Sequence, residues 1–133
     1  MPGLRLFPLA SKLKASGATY GYGYNLYLSA PPLDKPVTPT RVGTPSLTTL
    51  FADAAQVNTW QSPASPDHPM IEEWYFVDDN TNQPNCHFRH NKRANVAFCD
   101  GHIATEKFIT GSLNQRMPAQ FVGTLRSEIL SLR

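Results

Sequence analysis

Both cysteines and three of the four histidines of the chain fall in one short stretch. Cys86, His87, Arg89 and His90 are followed, after nine residues intervening between His90 and Asp100, by Asp100-Gly101-His102, with Cys99 immediately before them. Neutral imidazoles and carboxylates are good ligands for zinc and similar ions. His87, His90, Asp100 and His102, with Asp53 from upstream, are therefore candidate metal ligands, and a mixed Cys and His zinc site is a variant. Their spacing is not that of a zinc finger. Cys86 and Cys99 are also a candidate disulfide, which would contribute about 3 kcal/mol in the chain-entropy picture and which an extracytoplasmic setting would permit; two independent, partly buried thiols are the alternative. A hydrolase is the third chemistry, with His90 and either Asp100 or Asp53 as its acid–base pair, or a metal-dependent one built on the His90, Asp100 and His102 cluster. Against it, no Ser or Cys stands in a nucleophile elbow and no glycine-rich phosphate loop is present. Glu72 and Glu73 would point to opposite faces of a strand. An enzyme is not the expectation.

The elements that would position these residues are short. A strand-forming run, Asn95 to Cys99, meets Asp100-Gly101 and then an alternating run, His102 to Phe108, the pattern of a two-residue hairpin. That loop would pair Cys99 with His102, Phe98 with Ile103, Ala97 with Ala104 and Val96 with Thr105. Asp100 would hydrogen-bond its own turn, Gly101 would take positive φ, and Arg89 with His90 would tie the preceding loop to the hairpin. This structural use of Arg89, His90, Asn95, Asp100, Gly101 and His102 is preferred over a catalytic one.

The block Arg89 to His102 resembles the C-terminal signature (His, nine residues, Asp-Gly) of bacterial pseudopilin-like proteins of planctomycete and verrucomicrobial genomes. The resemblance rests on Arg89, His90, Asn91, Ala94, Asn95, Val96, Phe98, Asp100, Gly101 and His102. Tyr20 to Asn25 and Pro45 to Asp53 precede it in the family's order. Family members often carry a Gly pair where this chain has Lys92-Arg93. They begin with a basic leader and a long apolar helix, neither of which this chain contains, so the resemblance covers roughly residues 18 to 108. It implies an α+β, pilin-like globular domain without its long N-terminal helix. The implied role is that of a non-enzymatic subunit of a type II secretion or type IV pilus-like envelope assembly. Its partners would be other pseudopilin-like subunits, with copies of itself in a filament, and the inner membrane through a helix upstream of Met1. The globular domain would then lie on the periplasmic side of the cell envelope or outside the cell, and in the cytoplasm only if Met1 is the true start. Major pseudopilins also suggest a Ca²⁺ near Asp78-Asp79-Asn80.

Composition agrees with one domain over residues 1–133. The chain has 133 residues and a formal net charge of +2, too weak a field to point to nucleic acid. No window approaches the roughly 18 apolar residues of a membrane span. Many of the 12 prolines and 8 glycines precede residue 70 and argue for short segments joined by turns. Strands are expected over Thr19–Leu28, Thr48–Ala54 and Glu72–Val77. From Pro118 onward, Phe121, Val122, Leu125, Ile129 and Leu132 fall at helical spacing, which predicts a terminal helix docked on an antiparallel sheet. Tyr20, Tyr22 and Tyr24 would form one aromatic face, and a carbohydrate-binding module using it is a further alternative.

Overall fold

The computed structural model describes residues 21–28 and 42–131. Nine strands account for most of the regular structure: β1 (Tyr22–Asn25), β2 (Thr49–Asp53), β3 (Ala55–Asn58), β4 (Met70–Glu73), β5 (Phe76–Val77), β6 (Cys86–His87), β7 (Arg93–Phe98), β8 (Ile103–Lys107) and β9 (Val122–Gly123). The main sheet has the order β5-β1-β2-β7-β8; β3 pairs with β4, and β6 with β9. All pairings are antiparallel except β1 with β5. Helical structure among the described residues is confined to single 3-10 turns. The expected β-rich character is therefore present, while Glu72–Val77 is divided between two strands at Trp74-Tyr75.

The inner face of the sheet carries the core. Ala52, Ala94, Val96 and Phe98 pack with Cys86, Phe88, Leu125, Ile129 and Leu130. Gly23 lies where β1 runs closest to β5: a Cβ there would stand 2.8 Å from the Phe76 nitrogen and 2.9 Å from the Ala54 Cβ. A smaller cluster, Ala55, Val57, Ile71 and Val122, joins the β3–β4 hairpin to β9.

Two expectations are corrected here. The terminal helix is replaced by 3-10 turns at Pro118–Gln120 and Ser127–Ile129 flanking β9. Val122, Leu125 and Ile129 are buried as helical spacing would require, but extended chain brings them there. The reason is backbone pairing. Cys86 and His87 are buried, and their registered partners are Gly123 and Val122; a helix over this segment would leave that ladder open, at the cost of buried unpaired amides. Phe121 turns the chain into the strand with φ 55°.

The second correction is the hairpin register. Ala97 pairs with Ile103, Val96 with Ala104 and Asn95 with Thr105. The Phe98 N–H donates to the His102 carbonyl (2.9 Å) and the Gly101 N–H to the Phe98 carbonyl (2.9 Å). The loop is thus Cys99-Asp100-Gly101, a type I turn followed by a glycine in the left-handed region (φ 94°), the common three-residue hairpin. A two-residue type I′ loop would need positive φ at Asp100 as well. The deciding contacts lie outside the hairpin: the Cys99 N–H donates to the Thr48 carbonyl (2.8 Å) and the Asp100 N–H to the Pro45 carbonyl (3.3 Å). A one-residue slip moves β8 to its other face. Ile103, expected beside Phe98, instead lies opposite Ala97 and is 70% exposed.

Candidate functional site

Asp53 is the last residue of β2, where the chain leaves the main sheet for β3. Its side chain is fully buried. One carboxylate oxygen accepts from Arg89 Nη2 (2.8 Å). The other accepts the Asn95 N–H (2.7 Å) and lies 3.2 Å from His90 Nε2. The carboxylate thereby takes a ladder amide of β7 at the point where β2 departs. Arg89 Nη2 also donates to the Gly21 carbonyl (3.0 Å), so one guanidinium links the start of β1, the end of β2 and the approach to β7.

His87 completes the cluster. Its Nε2 lies 3.0 Å from the Gln120 carbonyl and its Nδ1 lies 3.2 Å from Arg89 Nη1. A guanidinium only donates, so Nδ1 must be the acceptor and Nε2 carries the proton to Gln120. Burial, reinforced by the Arg89 charge, lowers the His87 pKa from 6.5 to about 4. The ring is neutral at pH 7, and its tautomer is set by its partners.

His90 introduces a tight turn. It exchanges backbone hydrogen bonds with Arg93 (2.9 and 3.1 Å), and the intervening Asn91 and Lys92 have φ 57° and 65°. Positive φ at both central residues is the type I′ pattern, here carried by Asn-Lys rather than by Asp100-Gly101. Asn visits this region readily; Lys does so under strain.

The remaining candidates are distributed elsewhere. Asp100 and His102 sit at the far tip of the β7–β8 hairpin, where Asp100 Oδ1 accepts the His102 N–H (3.1 Å) and pairs with the ring Nδ1. These hydrogen bonds from His102 hold the Asp100 carboxyl below its usual range. His102 stacks on Phe98 with ring centroids 4.4 Å apart. His90 and His102 are thus at opposite ends of β7, and the expected His90, Asp100 and His102 cluster is not assembled. Among the described residues no three His, Cys, Asp or Glu side chains form a group able to hold a metal. Two pairs do meet: at Asp53 and His90 the Arg89 guanidinium also holds the carboxylate, and at Asp100 and His102 one carboxylate oxygen takes both the His102 N–H and its ring. Near Asp78-Asp79-Asn80 one oxygen of each carboxylate already serves a protein donor: Asp78 Oδ1 takes the Asn80 N–H and Asn85 Nδ2, and Asp79 Oδ1 takes the Tyr27 hydroxyl. At none of these places do the described residues bring a third His, Cys, Asp or Glu side chain into a metal-holding group.

Both cysteines are free. Cys86 bridges Ala54 beyond one end of β2, whereas Cys99 binds the Thr48 carbonyl at the other. Five strand residues separate them by about 16 Å, well beyond the roughly 7 Å limit for a disulfide. Burial pushes the Cys86 thiol well above its ordinary pKa and raises Cys99 as well, so neither is an activated nucleophile.

Of the tyrosine face, Tyr20 lies outside the described residues, and Tyr22 and Tyr24 are exposed. Their surroundings are apolar. Registered pairs run Phe76–Tyr24–Phe51–Ala97–Ile103 across all five strands, with Tyr22 against Phe51 at 5.5 Å. This row was not legible in the sequence, because it depends on the register of four strand pairs. No protein-family model, curated protein or solved structure matches the chain.

Proposed function

We propose that the chain is the globular part of a non-enzymatic, pseudopilin-like subunit of a type II secretion or type IV pilus-like envelope assembly. The observation that carries this reading is the outer face of the main sheet. Its cross-strand row of Phe76, Tyr24, Phe51, Ala97 and Ile103 is apolar from edge to edge, and Tyr24, Phe51 and Ile103 are each more than a third exposed. A face of this kind is suited to cover by an apolar helix or a neighbouring subunit. The Asp53–Arg89–His90–His87 cluster supports a structural role for the signature, since its carboxylate and imidazoles are already engaged with protein groups. Partners in this reading are other pseudopilin-like subunits and further copies of the chain, and the location is the cell envelope. No helix among the described residues is long and apolar enough to cross a membrane, so membrane attachment would require a segment other than these.

The test is an Ile103→Cys substitution in a Cys99→Ser background, produced in the native host and oxidised in intact cells. Disulfide adducts with subunits in the membrane fraction are expected. A monomeric, uncrosslinked protein confined to the cytoplasmic fraction overturns the reading.

A further inference from the structure

A cavity of about 180 Å³ lies between the end of β3 and two further loops, and none of the described residues lining it belongs to the Asp53 cluster or to the apolar row of the main sheet. Thr59, Trp60, Asn82, Gln83, Asn114 and Arg116 line it. Three loops meet there, and the same device shapes each. The side-chain oxygen of Asn58 accepts the Trp60 N–H (2.9 Å), that of Asn80 the Asn82 N–H (2.9 Å) and that of Asn114 the Arg116 N–H (2.9 Å). These Asx turns fix the backbone two residues on, so the lining side chains project from rigid loops. The first turn is anchored further: the buried Asn58 donates through Nδ2 to Glu72 (3.1 Å), which also receives Gln56 (2.8 Å).

The lining has a chemical sense. Trp60 is 56% exposed and offers a flat apolar ring with an indole N–H. The Asn82 and Gln83 amides both donate and accept, and make no hydrogen bond to another described residue. They match hydroxyl groups, which also do both. Among the described residues no carboxylate lines the cavity and the Arg116 guanidinium has no ion-pair partner. A planar guanidinium in that position suits a carboxylate. At 180 Å³ the space is smaller than that for a drug-sized ligand and is closer to a single ring.

We propose that this cavity binds one acidic sugar residue of the uronic acid class, its ring face on Trp60, its hydroxyls on Asn82, Gln83 and Asn114, and its carboxylate on Arg116. Such a site would let an envelope subunit hold an acidic polysaccharide, but the inference rests on the cavity alone and stands independently of the assembly reading. The experiment follows the Trp60 indole N–H resonance in the full chain. It is titrated with the methyl glycosides of glucuronic and galacturonic acid, their neutral counterparts and sodium acetate. A saturable shift with at least one uronide is expected, with the neutral glycoside about tenfold weaker for loss of a charge-assisted pair, and acetate without effect. Arg116→Met should reduce uronide binding to the neutral level, and Trp60→Ala should abolish saturable shifts elsewhere in the cavity. Both residues are exposed, so melting temperatures should hold. The proposal is overturned if neither uronide saturates, if the neutral glycoside binds equally well, or if acetate alone reproduces the shift.

Discussion

The two ends of β7 carry the same kind of pair, a histidine beside an aspartate, in opposite surroundings. At the start of the strand, His90 meets an Asp53 whose side chain is fully buried and which also holds Arg89 and a β7 amide. At the tip of the hairpin, Asp100 and His102 meet in the open, with side chains 37% and 46% exposed. A buried carboxylate that holds Arg89, the Asn95 N–H and His90 is a joint between strands, because removing it takes the counter-charge from a guanidinium and the acceptor from a ladder amide with no water to replace them. An exposed pair is screened and contributes little. Residue type alone therefore says nothing about importance; burial and the number of partners decide it.

Asp53→Ala should have the largest effect. It takes the carboxylate away from Arg89 and leaves the Asn95 N–H without its acceptor, and should destabilise the fold by about 3 to 5 kcal/mol, read by urea unfolding. A loss no larger than that of a tip substitution would show the two ends to be equivalent.

The buried end should also make stability depend on pH. His87 titrates near 4 in the folded chain against 6.5 when exposed. Between those values the unfolded chain binds the extra proton, so stability is full above about pH 6.5 and falls as pH drops toward 4, by about 3 kcal/mol. His87→Gln should flatten that part of the profile.

At the tip, backbone outweighs charge. Gly101 holds φ 94° with nothing within 4 Å of a would-be Cβ, so Gly101→Val meets strain rather than a clash and should cost about 1 to 3 kcal/mol, visible as a lower melting temperature. The opposite turn offers the reverse test. Lys92 at φ 65° is a non-glycine residue in the left-handed region, and Lys92→Gly should stabilise by about 0.5 to 1 kcal/mol. The smallest effect belongs to His102→Ala, which removes an exposed ion pair and one ring stacked on Phe98; about 0.5 kcal/mol is expected, and a loss approaching that of Asp53→Ala would overturn the contrast.

Much of the strand inventory was legible in the sequence. Alternation in Tyr22–Asn25, the apolar run ending at Asp53 and the paired runs flanking Asp100-Gly101 all follow from the two-residue period of a strand, which any register preserves. Gly101 was legible as a positive-φ position because only the local turn sets it. The terminal helix was misread because Val122, Leu125 and Ile129 have helical spacing, and spacing cannot reveal that buried Cys86 and His87 need a backbone partner. The hairpin register was missed for a similar reason: the Thr48 and Pro45 carbonyls, some fifty residues upstream, take the amides of Cys99 and Asp100.

By itself, then, the sequence determined the local quantities, namely which stretches extend, where the chain must turn and which residue types stand near one another along it. Tertiary structure alone decided that Asp53 is the partner of Arg89 and His90, that Cys86 and Cys99 lie at opposite ends of β2, and that Phe76, Tyr24, Phe51, Ala97 and Ile103 align into one row. Each of these depends on strand pairings between residues far apart in the chain. A shift of one residue in any of them moves a side chain to the other face of the sheet, without any change in local propensity.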